Sequence, residues 1–269
     1  MEATKIEESR EIYINASKVS HFTQFNRFTK EDEDLEILYE HNLWLQKYFR
    51  PVSQDPIAEI VHKLGDAEIS SLAEDLGVSV PPESKDTPKK SIIRKIEEKV
   101  KEAVEADYDK SKIIIQTVGK GDGLEKLENK IEEIVRVERG TLNESKDIKS
   151  LGLEVKIDTS FKKKELFRFD SKNVTYKVII GGRIDGYVDE STILETKHRR
   201  NRLFGFIPKY EMVQIEMYLH ILNLKKCLHV ENYNGLQNKT EYAQNDTFLN
   251  EIKDQMKQYF DKFLEKYKI

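Results

Sequence analysis

The chain is poor in the residues that staple a fold, span a bilayer or hold a soft metal. Its 269 residues include a single cysteine, Cys227, so neither an internal disulfide nor a cysteine-ligated zinc site can form within it. No apolar run approaches the roughly 18–20 residues a membrane-spanning helix needs. Met1 to Ser20 is charged and has no apolar stretch, so a secretory leader is not expected. The expected setting is intracellular, cytoplasmic or nuclear, and not secreted. Proline is scarce, and five of the six fall between Pro51 and Pro88, which reads as helices broken by turns. Tryptophan occurs once, but 12 Phe and 12 Tyr need burial, which excludes disorder throughout.

Charge is plentiful and unevenly spread. The net charge of −4 conceals an N-terminal stretch, residues 1–139, with 22 basic and 30 acidic side chains, and a remainder with 23 and 19. Such asymmetry between halves is a sign of unlike surfaces. The texture changes at the same place. Ile92, Ile93, Ile96, Val100, Ala103 and Val104, and then Leu124, Leu127, Ile131, Ile134 and Val135, recur at helical spacing. Gly119 to Gly123 between them is a glycine-rich loop without the Gly-Lys-Ser/Thr ending of a nucleotide-binding loop. Beyond residue 150, strands are expected at Leu153–Asp158, Leu166–Phe169, Val174–Ile180, Arg183–Val188, Thr192–Lys197 and Lys226–Tyr233. Helices are expected near Tyr210–Leu224 and Thr247–Tyr267. The reading is an α/β core over residues 139–269 with a helical N-terminal section over 1–138, into which a charged helical region is inserted at about 51–138.

The chemistry concentrates in Gly181-Gly182-Arg183-Ile184-Asp185-Gly186 and Ile193-Leu194-Glu195-Thr196-Lys197. A turn at Asp189-Glu190-Ser191 pairs Val188 with Thr192 and sets Asp185 opposite Glu195, with Lys197 on the same face as Glu195. Two opposed carboxylates repel, and a divalent cation between them reverses that interaction. Their oxygens suit Mg²⁺ or Mn²⁺, and the adjacent lysine can orient and help deprotonate an attacking water and offset phosphate charge. Acidic-x-Lys triplets arise by chance roughly six times in such a composition. The apolar flanks, which suggest central strands, set this one apart from a solvated hairpin.

These residues, with Gln214-x-x-x-Tyr218, resemble the PD-(D/E)xK nuclease superfamily. The likeness is to its exonuclease branch: RecB-type domains, phage lambda exonuclease and YqaJ-type viral recombinases. The resemblance implies a restriction-endonuclease-like fold with a central mixed, mostly antiparallel sheet flanked by helices. It implies Asp185, Glu195, Lys197 and Gln214 as catalytic residues. Asp185, Glu195 and the Thr196 backbone carbonyl become metal ligands, with Ile184 standing where the family's proline would be. Arg139 to Glu144 resembles the family's helix-borne motif, which would make Glu144 a further ligand; Thr141 and Glu144 also spell an ordinary capping box. Arg10 and Ser17, with Asn15-Ala16-Ser17, match the lambda-type 5′-phosphate site, although Ser17 could equally cap a helix. Gln214 and Tyr218 lie four apart on one helix face, as a site pair or a half-buried polar pair. Arg199, Arg200 and Arg202 follow the catalytic strand and read as contacts to a nucleic-acid backbone, with Tyr218 supporting the site.

The implied activity is metal-dependent hydrolysis of DNA phosphodiester bonds from 5′ ends, in recombination, repair or viral genome processing. The implied partners are DNA with a free end, a homo-oligomer and a single-strand annealing or recombination protein, and no membrane. Two alternatives stand beside it: an endonuclease of the same fold acting on DNA or RNA, and a non-catalytic nucleic-acid-binding or scaffold protein.

Overall fold

A computed structural model describes residues 8–29, 33–48, 56–78, 88–118 and 124–269. The glycine-rich loop at 119–123 lies outside the described residues. The chain divides into two compact units, one of residues 1–52 with 147–269 and one of residues 53–146. The expected insertion at about 51–138 falls within the second. Strand β1, Glu8–Asn15, belongs to a sheet of the first unit; the other described elements before residue 139 are helical, as expected. The charge division also moves: the first unit carries 29 basic and 28 acidic residues, the second 16 and 21.

The second unit is helical. It comprises α2 (Pro56–Lys63), α3 (Asp66–Asp75), α4 (Pro88–Glu105), α5 (Tyr108–Val118) and most of α6 (Glu125–Ser150), after α1 (Glu33–His41) in the first unit. The apolar positions of α4 and α6 do bury: Ile92, Ile96 and Ala103 on one, Leu127 and Ile131 on the other. Arg139 closes this packing by donating to the carbonyls of Val104 and Asp107, at 3.2 and 3.1 Å, and of Ala106. Because α6 runs unbroken through residue 141, Thr141 is not a helix cap; its hydroxyl donates back to Val137 O at 3.3 Å.

The first unit holds two sheets. Its strands are β1, β2 (Lys162–Ser171), β3 (Val174–Gly182), β4 (Gly186–Asp189), β5 (Thr192–His198), β6 (Lys226–Tyr233) and β7 (Leu236–Ala243), ordered β1-β3-β2 and β4-β5-β6-β7. Three pairings are antiparallel, while β1–β3 and β5–β6 are parallel. In β3, Tyr176, Val178 and Ile180 alternate inward and meet Arg10, Ile12 and Ile14 in register. Lys172-Asn173 and Asn234-Gly235 both have positive φ at each residue, the two-residue turn whose twist matches its strands. The expected strand at Leu153–Asp158 reduces to one bridge, Lys156 with Tyr187.

Between β5 and β6 runs α7, Lys209–Leu222, the crossover helix that parallel neighbours require. Asn223 in the left-handed conformation ends it, with Leu224 N–H returning to Leu219 O at 3.1 Å. The closing helix α8, Asp246–Lys266, starts where the Asn245 side chain accepts from Phe248 N–H at 3.0 Å. Its apolar face brings Phe260 between Phe22 and Phe169, ring centroids 5.9 and 6.0 Å away. The outer edge of β1 is occupied by side chains. Asn42 accepts from Tyr13 N–H at 2.7 Å and donates to Tyr13 O at 2.9 Å, and Trp44 Nε1 donates to Glu11 O at 2.9 Å. Among the described residues no helix is long and apolar enough to cross a membrane.

Phe260→Ala removes a fully buried ring from this aromatic stack and is expected to cost about 3–5 kcal/mol. Urea denaturation followed by circular dichroism measures it, and a loss below about 1 kcal/mol would show that the stack does not anchor the core.

Candidate active site

The β4–β5 hairpin places the two carboxylates. Its turn is one residue shorter than expected: Asp189 pairs with Thr192, and a bulge at Val188 returns the register to Tyr187–Ile193 and Gly186–Leu194. Asp189 Oδ1 holds the turn by accepting from Ser191 N–H and Oγ–H at 2.7 and 2.8 Å. Because the bulge absorbs the missing residue, the line of register still runs from Asp185 to Glu195. Asp185 itself is in the bend between β3 and β4, not in a strand. Its Oδ2 accepts from Thr196 N–H at 2.6 Å and Thr196 Oγ–H at 2.8 Å. A strand residue's N–H and C=O point to the same edge, so the Thr196 carbonyl also lies on the Asp185 side.

Glu195 is 2 % exposed. Its Oε1 meets the Lys197 ammonium at 2.7 Å and accepts from Gln214 Nε2 at 2.8 Å, while Oε2 is buried with no hydrogen-bond partner among the described residues. Burial pushes this carboxyl up to about 8, against the pull of Lys197 and with a further push from Asp185. Burial likewise raises Asp185 above the usual carboxylate range, Thr196 and Lys197 offsetting part of the rise. Burial alone would lower Lys197, but Glu195, Glu211 and Asp185 outweigh it and hold the ammonium charged. Gln214 ties the set together. Its carbonyl accepts from Lys197 Nζ at 3.0 Å, and its amide donates to Glu195 and to Tyr218 Oη at 3.2 Å. Only one orientation of that amide serves an ammonium on one side and a carboxylate on the other. Among the described residues, no three His, Cys, Asp or Glu side chains form a metal cage; Asp185 and Glu195 are a pair.

Of the basic run after β5, Arg199 is not a surface contact, which corrects the expectation. It is 8 % exposed and forked between Glu211, at 2.6 and 2.8 Å, and Glu231 at 2.6 Å, with Phe204 under its guanidinium at 4.1 Å. Planar bidentate pairing of this kind is the geometry for which arginine is suited. Glu211 also meets His229 Nε2 at 3.1 Å, and Glu231 accepts from Phe204 and Gly205 N–H at 3.2 and 2.9 Å. Burial would raise Glu211, but hydrogen bonds from Arg199 and His229 and the charges of Arg199 and Lys197 draw it down to about 2. This hub was not foreseen. Its signal was spacing: Glu211 is three residues before Gln214 and seven before Tyr218, on one face of α7, and His229 is the register partner of Glu195. Arg200 and Arg202 are exposed as expected.

A cleft of about 530 Å³ opens beside the site, lined by Tyr13, Asn15, Ala16, Ser17, His41, Phe161, Gly182, Arg183 and Tyr218. Ser17 and Tyr218 thus come together. Arg10 does not join them: five residues up β1 from Asn15, about 16 Å of strand, it pairs with Glu8 at 2.7 Å and lies over Trp44. The glycines of the motif shape this cleft. A Cβ at Gly181 would meet Tyr13 Oη at 2.2 Å and Phe161 at 2.6 Å, and one at Gly182 would meet Tyr218 at 2.8 Å. Glu144 is half-buried on α6, in the helical unit.

Two stability measurements test these assignments. Arg199→Met strands two buried carboxylates and is expected to cost about 3–5 kcal/mol at pH 7. Glu211 is held below its unfolded value of 4.5, so its contribution is present above that pH and is lost as pH falls toward about 2. The gap between parent and variant must therefore narrow over that window, and a gap independent of pH would contradict the pairing. Glu195 has the opposite sign: its folded value of about 8 exceeds 4.5, so parent stability declines as pH rises between the two. Relative to the parent, Glu195→Gln should gain with pH over this window, by up to about 1.4 kcal/mol per unit; a flat difference would place the carboxyl in water.

No protein-family model matches the sequence, and no curated protein does. Among solved structures, the chain is similar to the alkaline exonuclease LHK-Exo from Laribacter hongkongensis, at 14% identity over 79% of this chain and 93% of that one, with a TM-score of 0.33. It is similar to the same enzyme in complex with dAMP, at 14% identity over 80% and 95%, TM-score 0.33. A phage-related exonuclease from Haemophilus somnus 129PT is similar at 13% identity over 74% and 94%, TM-score 0.33. These neighbours are exonucleases; at such TM-scores the reading of the site rests on the residues described above.

Proposed function

We propose that the protein is a Mg²⁺-dependent DNA exonuclease, with Mn²⁺ also suited, that acts from 5′ ends in recombination, repair or viral genome processing. One observation carries the reading: a buried carboxylate oxygen without a partner, Glu195 Oε2, beside a second carboxylate and a charged lysine. Burying a charged oxygen without a hydrogen bond is costly, and a hard divalent cation is the group whose chemistry suits two carboxylates and a carbonyl. The residues therefore fit the metal. Asp185, Glu195 and the Thr196 carbonyl would hold it. When bound, the cation supplies Lewis-acid polarisation of the phosphate and a more acidic water.

The protein's own groups do the rest. Thr196 fixes the Asp185 carboxylate by two hydrogen bonds. Lys197 remains charged, so it orients water and offsets charge on the phosphate rather than taking a proton. Gln214 holds Lys197 and Glu195 in one geometry. Arg200 and Arg202 contact the backbone of the strand, and Ser17 the 5′ phosphate, with Tyr218 behind it. The acidic helical unit serves a partner or a second copy rather than DNA.

End-labelled linear and closed circular duplexes with Mg²⁺ test the reading. Glu195→Ala and Lys197→Ala should each lower cleavage by at least about 10²-fold, and removal of the 5′ phosphate should slow the parent. Unchanged cleavage in either variant would sink the site, and degradation of closed circles would show an endonuclease. Independently of activity, Mg²⁺ or Mn²⁺ should raise the melting temperature of the parent and not of Glu195→Gln.

A further inference from the structure

We infer that a nucleic-acid strand leaving the catalytic set crosses a second aromatic platform, where an unpaired base stacks on the exposed ring of Phe28 while Arg27 and Lys209 meet its phosphates. The inference deepens the nuclease reading and rests on it for the kind of polymer present. The platform itself is argued from its own residues.

Residues 12–30 and 198–210 contain no Asp or Glu, although the chain has 49 acidic residues. The first of these stretches runs along α7. Toward the end of the helix, Ala16 and Tyr218 both face Gly182, where an added Cβ would lie 3.3 and 2.8 Å from them. At its first turn, the ring of Phe28 meets that of Tyr210 edge-on, centroids 6.1 Å apart. Residues 16–28 therefore pass antiparallel to the helix. Tyr210, Gln214 and Tyr218 follow at intervals of four on one face of α7, over about 12 Å. Gln214, in the middle, is bonded to Lys197 and Glu195 at 3.0 and 2.8 Å. Tyr210 also feels Lys197: burial raises its phenol and Glu211 adds to the rise, while Arg199 and Lys197 oppose it. The platform thus lies across the catalytic set from the cleft of Ser17 and Tyr218.

The exposure of Phe28 is built into the turn that carries it. The ring is 64 % exposed, yet its backbone is held. Asn26 Oδ1 accepts from Phe28 N–H at 3.1 Å, and Thr29 Oγ–H donates to Asn26 O at 3.2 Å. Arg27 lies over the Phe28 ring at 5.2 Å and Lys209 over that of Phe25 at 5.3 Å, so both cations rest on rings rather than on carboxylates. A phosphate is the partner such cations accept, and an aromatic face beside them holds a base of any identity. A base within a duplex keeps its faces in the stack, so a ring presented in this way selects an unpaired strand.

The test is equilibrium binding to the full chain, without divalent cation, of a labelled oligothymidylate and of the same oligomer built from abasic units, which keeps the phosphates. Phe28→Ala should weaken oligothymidylate by about tenfold and leave the abasic oligomer unchanged. Its melting temperature should match the parent's, because the ring is exposed. Phe28→Trp, which keeps a stacking face, should restore the parent affinity. Arg27→Met should weaken both oligomers and lessen the dependence of affinity on salt. Equal oligothymidylate affinity in parent and Phe28→Ala overturns the platform. So does a parent that binds neither oligomer, or a Phe28→Ala defect shared by the abasic strand. If no DNA is cleaved under any condition while binding still depends on Phe28, the nuclease reading falls and the platform stands. Cleavage that is lost in Glu195→Ala, with binding indifferent to Phe28, is the reverse.

Discussion

The centre of the first unit is organised around the cost of keeping an ionisable oxygen dry. β5 lies between an antiparallel neighbour, β4, and a parallel one, β6, so every side chain on one of its faces must be accommodated inside the protein. Glu195 is one of them. Its neighbours are all of a kind that makes a buried charge bearable: an ammonium two residues on, an amide from α7, and a second carboxylate tied to the strand edge by Thr196. The arrangement is balanced only in part, because one oxygen is left over. An incomplete polar network inside a protein is expensive, and the proposed metal site rests on that leftover oxygen.

A second buried network satisfies both of its carboxylates, and the contrast is instructive. Arg199 satisfies Glu211 and Glu231, His229 adds a third contact to Glu211, and two backbone amides finish Glu231. Its one leftover atom is His229 Nδ1, buried with no hydrogen-bond partner among the described residues. This hub fixes the end of β5 to the start of α7 and to β6, which are the elements that carry Lys197, Gln214 and the strand beside Glu195. Precision at the proposed catalytic groups would depend on rigid support of this sort.

How far the sequence disclosed this depended on how each residue is buried. The facing of Asp185 and Glu195 was readable, because apolar flanks and a turn set the register; the bulge at Val188 was not, since a one-residue compensation leaves no trace in the pattern. Strand β7 escaped because it is a polar edge with few buried positions, although Asn234-Gly235 is a strong hairpin signal. Strand β1 escaped because only Ile12 and Ile14 are buried in it. Arg199 was misread because a run of basic residues looks solvated, and only the tertiary fold brings Glu211 and Glu231 around the middle of it. Ser17 and Tyr218, two hundred residues apart, meet in one cleft; Arg10, seven residues from Ser17, does not, because an extended strand carries it away.

The Asn42 side chain, which pairs with both backbone groups of Tyr13, has a consequence for assembly. Together with Trp44 it occupies the hydrogen-bonding positions that a free edge strand offers to a visitor. The first sheet cannot lengthen there by accepting a strand from another copy unless these side chains are first displaced. Association through that margin would therefore begin by undoing the contacts that tie residues 42–44 to β1.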